Sequence, residues 1–465
     1  MKRSKLDDED TTDFCKNHAY VGRWQQEVKS IHGVHDEVDT QYKQVHLLVI
    51  GAVSYIGMRG NMYSQYAKDF PSRLKVVGVA EPKDVRRFSF QKRFSIEDQN
   101  VFTTWKEAAS REKFADAVVI ATLDDMHHGP CLVFAELGYH ILCEKPMAPT
   151  EEECKEMVGA AKRNGVMLCL GHVLRYTNEY MTVKKLITDG AIGKVVGIHH
   201  LEPVGWWHFA HSFVRGNWKQ ELQESGSLMA KSCHDFDLIK YFLGDIKCRK
   251  IQSFGALTHF NSDNKPSDAS SRCLDCKIER SCPYSAVRRY IDCVKEHGPD
   301  RFCYTVCEDP TVENLTNALR NGPYGKCVYD SDNDVCDYQT VNMEFDGGRY
   351  ATFTMSAFTK EVCVRKIQIM GTHGEIECDA KGFRLFDFRS EQTSEYVSTS
   401  PKEPTRMTGH GFADYHLMKA FVKAVALDNP LVIESGAEDS LRGHRLVFAA
   451  EKSRRSGGTM LEVNI

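Results

Sequence analysis

The stretch that decides the fold reads Val45-His46-Leu47-Leu48-Val49-Ile50 and continues Gly51-Ala52-Val53-Ser54-Tyr55-Ile56-Gly57-Met58-Arg59-Gly60. An apolar strand pattern opens into a glycine-rich turn, and a helical pattern follows over 61–70. As written the turn is not G-x-G-x-x-G. With residues 53–56 treated as an insertion it becomes Gly51-Ala52-Gly57-Met58-Arg59-Gly60, which is. The glycines have a physical purpose: a tight turn, close approach of backbone to a pyrophosphate, and close packing of helix on strand. The helix start adds free N–H groups and positive partial charge for the phosphates. Two readings stand: the insertion bulges outward and leaves the turn intact, or it has cost the turn its ligand.

A βαβ rhythm runs outward from this turn. The strand Leu74–Ala80 ends in Glu81-Pro82, where proline forbids continuation of the ladder. Glu81 stands about 20 residues after the last glycine, where a carboxylate accepts hydrogen bonds from an adenosine ribose. That position favours NAD over NADP, although Arg86 and Arg87 nearby keep NADP open. Apolar strands at 117–121, 141–143 and 166–171 alternate with helical patterns at 85–94, 105–111, 130–137 and 150–164. The last of these has Thr150 as N-cap and acidic residues in its first turn. Such alternation predicts a doubly wound parallel Rossmann sheet over 45–175.

After Arg175 the grammar changes. One helix at 180–189 precedes strands with period-2 alternation at 195–201, 251–257, Tyr338–Phe345, 350–356 and 364–370. This predicts a C-terminal α+β domain over 176–465 with an open, mostly antiparallel sheet. Residues 273–336 form a cysteine-rich insertion in it, residues 385–408 read as a surface excursion, and amphipathic helices are expected at 411–427 and 435–453. Residues 1–44 are polar and read as a tail with at most one short helix.

The chain has 465 residues, enough for two domains plus tails. Charged residues make up 27% and the formal net charge is −4, a balance that argues against nucleic acid or an anionic membrane as main partner. No apolar run approaches the ~18 residues of a membrane span, and 1–10 show no secretory signal. Seventeen cysteines without such a signal read as reduced thiols or metal ligands in a cytoplasmic protein.

Two residues carry the candidate chemistry. In Ile141-Leu142-Cys143-Glu144-Lys145-Pro146 a strand ends in a charged pair, and ligands of open α/β sheets bind at such carboxyl ends. Lys145 can there reach a substrate hydroxyl. His234 lies in Ala230-Lys231-Ser232-Cys233-His234-Asp235-Phe236-Asp237, a heavy polar load for an otherwise apolar helix. Oxidation of an alcohol needs a group to take the hydroxyl proton, and histidine, with a reference pKa near ~6.5, suits that task. Polar and aromatic residues that fit a sugar cleft are His172, Arg175 and Tyr176, and Arg215, Asn217 and Trp218; a packed loop is the competing reading for the second group. Cys273, Cys276 and Cys282 have spacing that suits a structural zinc, with Cys303, Cys307 or Cys327 as fourth ligand; reduced thiols are the alternative.

Taken together, Glu144-Lys145-Pro146, Ala121-Thr122 followed by His127, Gly226-Ser227-Leu228 leading to His234 and Asp237, and Gly371-Thr372-His373-Gly374-Glu375 resemble the Gfo/Idh/MocA family of glucose–fructose oxidoreductases and inositol dehydrogenases. The resemblance covers 45–465. It implies a nicotinamide cofactor, sugar or cyclitol-like substrates, and a C-terminal sheet that makes a homodimer or homotetramer. It assigns Thr122, Leu123, His127, Glu144 and Lys145 to the cofactor along with the glycine turn, gives Lys145 the polarising of the substrate hydroxyl, makes His234 the acid/base, and adds Asp237 to the substrate cleft. One departure stands out: relatives carry an aspartate four residues before the histidine, where this chain has Ala230. Lys231 beside it either grips a substrate carboxylate, which brings sugar acids into the substrate range, or points away. The leading function is an NAD-dependent dehydrogenase of a sugar, sugar acid or cyclitol. The alternatives are a glycoside hydrolase acting through transient oxidation and an NAD-binding regulatory protein without turnover.

Overall fold

The computed structural model describes residues 27–31, 42–52, 59–221, 225–379 and 382–465. Its first sheet has six strands, β2 (Val45–Ile50), β3 (Leu74–Ala80), β4 (Val101–Phe102), β5 (Ala117–Ile120), β6 (His140–Cys143) and β7 (Leu168–Leu170), in the order β4-β3-β2-β5-β6-β7. Every pair in it is parallel. Leu47, Leu48, Val49, Val118, Val119, Ile141 and Leu142 are fully buried, as uninterrupted apolar strands covered on both faces must be. The helices that cover them are α1 (Arg59–Asp69), α2 (Asp84–Phe94), α3 (Trp105–Ala109), α4 (His128–Glu136) and α5 (Glu151–Arg163). Helix α5 starts where its sequence says: Thr150 Oγ1 accepts from Glu153 N at 3.2 Å, three glutamates fill the first turn, and Lys162 and Arg163 close the last.

The strand order reverses between β2 and β5, which opens a crevice at their carboxyl ends. Gly51, Ala121-Thr122 and Glu144-Lys145 all follow strands that end there.

After α6 (Asn178–Thr188) comes a ten-stranded sheet ordered β1-β15-β14-β13-β12-β8-β11-β10-β9-β16. Its members are β1 (Glu27–Ile31), β8 (Val195–Pro203), β9 (Cys248–Ala256), β10 (Tyr338–Phe345), β11 (Arg349–Ser356), β12 (Lys366–Gly371), β13 (Gly374–Asp379), β14 (Gly382–Asp387), β15 (Gln392–Ser398) and β16 (Leu461–Glu462). Only β1–β15 and β8–β11 are parallel among its pairs. The apolar helix α7 (Gly226–Leu243) packs on its inner face, where Phe236 meets Phe353 of β11 at 5.1 Å between ring centres. In the cysteine-rich segment α8 (Val312–Asn321) helps enclose a small core of its own, which includes Tyr290, Cys303, Leu315 and Leu319.

Three expectations change. Residues 385–408 are not simply a surface excursion, because they contain the end of β14 and all of β15; β15 is half-exposed even between β14 and β1, and such a strand needs no apolar run to declare itself. Residues 1–44 include β1, a strand rather than a helix, at the sheet edge; the rest of 1–41 lies outside the described residues. Finally, the C-terminal helices α9 (Ala413–Leu427) and α10 (Ala437–Arg455) belong to both halves of the molecule. Arg445 pairs with Glu151 of α5 at 3.0 Å, and the backbone of Met147 donates to His444 Nε2 at 2.9 Å. The cleft beside Lys145 is thus closed by the end of the chain.

Candidate active site

At the cofactor end of the crevice, Gly51 has φ +86°, and a Cβ there would lie 2.4 Å from the Ala121 carbonyl oxygen. A Cβ on Gly60 would lie 2.3 Å from the Gly51 carbonyl oxygen. The strand end, the turn and the start of α1 therefore approach as closely as backbone can, the arrangement a pyrophosphate needs. Gly57, Met58 and the insertion 53–56 lie outside the described residues. Glu81, at the end of β3, is buried, and burial raises its carboxyl although Lys83 donates to it from the backbone. Arg87 is tied to the Glu81 carbonyl at 2.8 Å, and Arg86 pairs with Glu308 at 3.2 Å. The Thr122 hydroxyl is buried without a partner at the end of β5, and Leu123 beside it is exposed. An orphaned hydroxyl and an exposed apolar side chain at the switch point fit a bound nicotinamide nucleotide.

Two of the residues assigned to the cofactor are engaged with the protein itself. Glu144 accepts from Arg59 at 2.6 Å and from Tyr63, and the Lys145 N–H donates to its other oxygen at 3.0 Å. Burial would raise this carboxyl, but Arg59 and Lys145 hold it below the ordinary range. Arg59 also reaches Asp414 of α9 at 2.8 Å. Arg59 and Glu144 thus clamp α1, β6 and α9 together around the crevice. His127 is fully buried, with Nδ1 2.9 Å from the Pro146 carbonyl oxygen and Nε2 3.3 Å from that of Thr122, so it packs between the two strand ends beside Lys145.

Lys145 reaches from β6 across to α7, where its Nζ donates to the Ala230 carbonyl at 2.7 Å. One turn further along that helix, the ring of His234 is nearly buried and its Nδ1 has no partner. Burial, then the Lys145 ammonium, then His172 push the His234 pKa well below the ordinary value. The imidazole is therefore neutral, which is the form that can accept a proton. His172 packs edge-on to it at 5.6 Å between ring centres and lies 5.3 Å from His444. Asp124 and Trp218 complete the surroundings, with Trp218 Nε1 donating to Asp124 Oδ2 at 3.2 Å. The structure sets His172 against His234 with Lys145 one turn away, and places Trp218 on Asp124.

The other expected residues have partners elsewhere. Arg175 and Asp237 form a buried pair with bonds of 2.7 and 2.8 Å, so neither has charge to offer a substrate. Tyr176 is fully buried and its Oη accepts from the backbone of Glu434 and Ser435 at 3.0 and 3.1 Å. Arg215 serves the cysteine-rich segment, donating to the carbonyls of Lys326 (2.8 Å) and Tyr284 (2.9 Å) and to Cys273 Sγ. Lys231 lies between Cys363 Sγ (2.9 Å) and the buried Glu202 (3.3 Å), so its charge is already balanced. Arg175, Tyr176, Arg215, Lys231 and Asp237 are thus each engaged with partners inside the protein. Asp124 was not among the expected residues; its one legible signal is its place just beyond a strand end at the switch point.

Cys273, Cys276, Cys282 and Cys327 line one cavity of about 160 Å³. Even so, among the described residues no group of three His, Cys, Asp or Glu side chains is placed to hold a metal ion. Burial raises the Cys282 and Cys327 thiols. Cys273, Cys276 and Cys282 thus share one cavity as free thiols.

A glycine turn and a strand-end lysine facing a neutral histidine, on a doubly wound sheet with a second sheet behind, define a nicotinamide-dependent oxidoreductase. The chain belongs to the Gfo/Idh/MocA family: residues 45–172 match its NAD-binding Rossmann fold and residues 184–463 its C-terminal alpha/beta domain. It is similar to the protein YteT of Bacillus subtilis (strain 168), 23% identical over 393 residues, which is 79% of this chain and 87% of that one. It is 31% identical to the 2,7-anhydro-N-acetylneuraminate hydratase of Escherichia coli (strain K12) over 153 residues, 33% of this chain and 40% of that enzyme. The match thus spans less than half of the hydratase. In fold it is similar to a levoglucosan dehydrogenase solved with NADH and levoglucosan, at a TM-score of 0.64 and 18% identity, covering 90% of this chain and 99% of that one.

Proposed function

We propose that the protein oxidises a hydroxyl-bearing carbon of a cyclic sugar or cyclitol, passing hydride to NAD and the hydroxyl proton to His234. The observation that carries this reading is a neutral, buried histidine within the field of a strand-end lysine, beside a turn that only glycine can make. Bound NAD supplies the hydride acceptor. The Lys145 ammonium polarises the hydroxyl oxygen, and His234 takes its proton as the C–H hydride leaves, so the alcohol becomes a carbonyl. With Lys231 paired to Glu202, Lys231 itself gives no argument for a sugar acid, although 2,7-anhydro-N-acetylneuraminate, named for one similar enzyme, is one. Two of the similar proteins act on anhydro-sugars by their names, and a substrate panel should begin there.

The test is NADH formation across levoglucosan, other anhydro-sugars, hexoses and inositols, with NAD and NADP titrated in parallel. NAD is expected to bind more tightly, because Glu81 repels a 2′-phosphate; tighter NADP binding would overturn that assignment. The similarity to a hydratase favours one second reading, in which oxidation is transient and the cofactor is restored within each turnover. Product formation without accumulated NADH separates it from the first.

The partner proposed for the outer face of the ten-stranded sheet is a second copy of the chain. Tyr338 and Tyr350 stand exposed on β10 and β11, while Val341 and Phe353 on the same strands are buried against the helices. Light scattering should give a dimer or tetramer, and lysines at Tyr338 and Tyr350 should dissociate it; a wild-type monomer overturns the proposal. No helix among the described residues is long and apolar enough to cross a membrane, and the described cysteines are unpaired thiols. A reducing compartment, the cytoplasm, suits such thiols.

A further inference from the structure

A cavity of about 390 Å³ lies between the segment that follows β8 and the cysteine-rich insertion. Trp206, Trp207 and Arg215 come from the first, and Tyr284, Arg288 and Arg289 from the second. Its size falls in the range of small-molecule sites, roughly 300–1,000 Å³. The charge around it is unbalanced. Three guanidiniums line it against one carboxylate, Asp300, which accepts from Arg289 Nη2 at 2.8 Å. Arg215 is only 4% exposed, and its bonds go to the carbonyls of Lys326 and Tyr284 and to Cys273 Sγ. These bonds use Nε and Nη2; Nη1 has no partner among the described residues. Carbonyl oxygens satisfy hydrogen bonds without neutralising a cation. The exposed Arg288 guanidinium bonds only to the Arg280 carbonyl, at 3.3 Å. A buried cation without a counter-charge is costly, and an anion that enters beside it removes that cost.

Trp206 supplies a surface of another kind. It is partly exposed, and Nε1 donates to the Pro283 carbonyl at 3.3 Å, which fixes the plane of the indole. Its neighbour Trp207 is already covered, with the Arg289 guanidinium 4.3 Å from its ring centre and Phe302 edge-on at 5.0 Å. Trp206 has no such ring or cation upon it among the described residues. An open indole face accepts the apolar face of a ring, and a guanidinium fork accepts the oxygens of an anion. We propose that this cavity binds a sugar ring bearing an anionic group, a carboxylate or a phosphate, with the anion between Arg215 and Arg288 and the ring against Trp206. Neither Lys145 nor His234 lines the cavity, and the proposal does not depend on the chemistry assigned to that pair.

The experiment titrates the full chain with glucuronate, glucose 6-phosphate and glucose by calorimetry, in wild type and in Arg288→Glu, Trp206→Leu and Lys145→Ala. A hydrogen bond to a charged group is worth roughly 10- to 100-fold, so at least one anion should bind, and glucose should bind more weakly by about that factor. The tighter of the two anions names the group. Arg288→Glu turns attraction into repulsion and should lose at least as much, with Tm unchanged because this side chain holds one carbonyl only. Arg288→Gln repeats the comparison without reversing the charge. Trp206→Leu should weaken both anions alike, and Lys145→Ala should bind them as wild type does. The proposal is overturned if neither anion binds, if glucose binds as tightly, or if the Arg288 or Trp206 variants keep wild-type affinity. It is overturned equally if the loss appears in Lys145→Ala instead, which would put the ligand at the candidate active site.

Discussion

Lys145→Ala and His234→Ala are each expected to lower turnover by about 10²–10⁴-fold, the usual range for a general acid–base contribution, while NAD still binds. Lys145 gives up one hydrogen bond, to the Ala230 carbonyl, and His234 has no partner at Nδ1, so neither change dismantles a network. Because both groups act on the same proton, the double variant should be little worse than the worse single one. The pH profile adds a sharper check. Burial and the Lys145 ammonium both depress His234, so the acid limb of kcat/KM should lie below the ordinary histidine value near ~6.5. In Lys145→Ala the repulsion is gone while the burial remains, and the residual activity should show its acid limb at higher pH. Near-normal turnover in His234→Ala would remove this histidine from the mechanism; an acid limb that ignores Lys145 would break the proposed coupling.

The legible and illegible parts of this molecule differ for a physical reason. Strands β2, β5 and β6 are buried on both faces, and only near-continuous apolar sequence can fill such positions, so they could be read off directly. Strands β13 and β14 alternate buried with exposed positions and β15 is half-exposed; nothing in Gln392–Ser398 distinguishes a strand from a loop until Tyr396 is seen stacked on Phe383 at 4.4 Å between ring centres. Lys145 was legible because its position follows from a strand end. Arg175, Lys231 and Asp237 looked like ligand-binding residues because they are polar and near the motifs. Whether such a charge is free depends on partners remote in sequence: Asp237 for Arg175, Glu202 for Lys231. The tie from Arg59 to Asp414 spans nearly the whole chain and left no local mark at either end. Asp124 was hidden in the opposite way, as one of two adjacent aspartates in a polar turn, and only burial separates it from its exposed neighbour Asp125.

Gly51→Ala should cost NAD affinity more than any change to a side chain around the turn. Its φ of +86° alone makes a non-glycine residue strained, typically by ~1–3 kcal/mol. The new Cβ would also stand 2.4 Å from the Ala121 carbonyl oxygen, 2.7 Å from its carbon and 3.1 Å from the Thr122 nitrogen. All three are backbone atoms at the end of β5, so no side chain can rotate to relieve the contact. Relief requires β2 and β5 to part at the switch point where the nucleotide is held. The strain term alone corresponds to roughly 10- to 100-fold in affinity if it is released on opening the turn, and the clash adds to it. Gly165→Ala is the control. It also has positive φ, +63°, but its added Cβ would meet nothing within 4 Å. Its penalty should be of order 1 kcal/mol of stability, read as a small drop in Tm with NAD affinity unchanged. Calorimetric titration of both variants decides the matter: if Gly51→Ala binds NAD like wild type, the pyrophosphate does not sit on this turn, and if Gly165→Ala loses binding as well, the effect is global strain rather than local geometry.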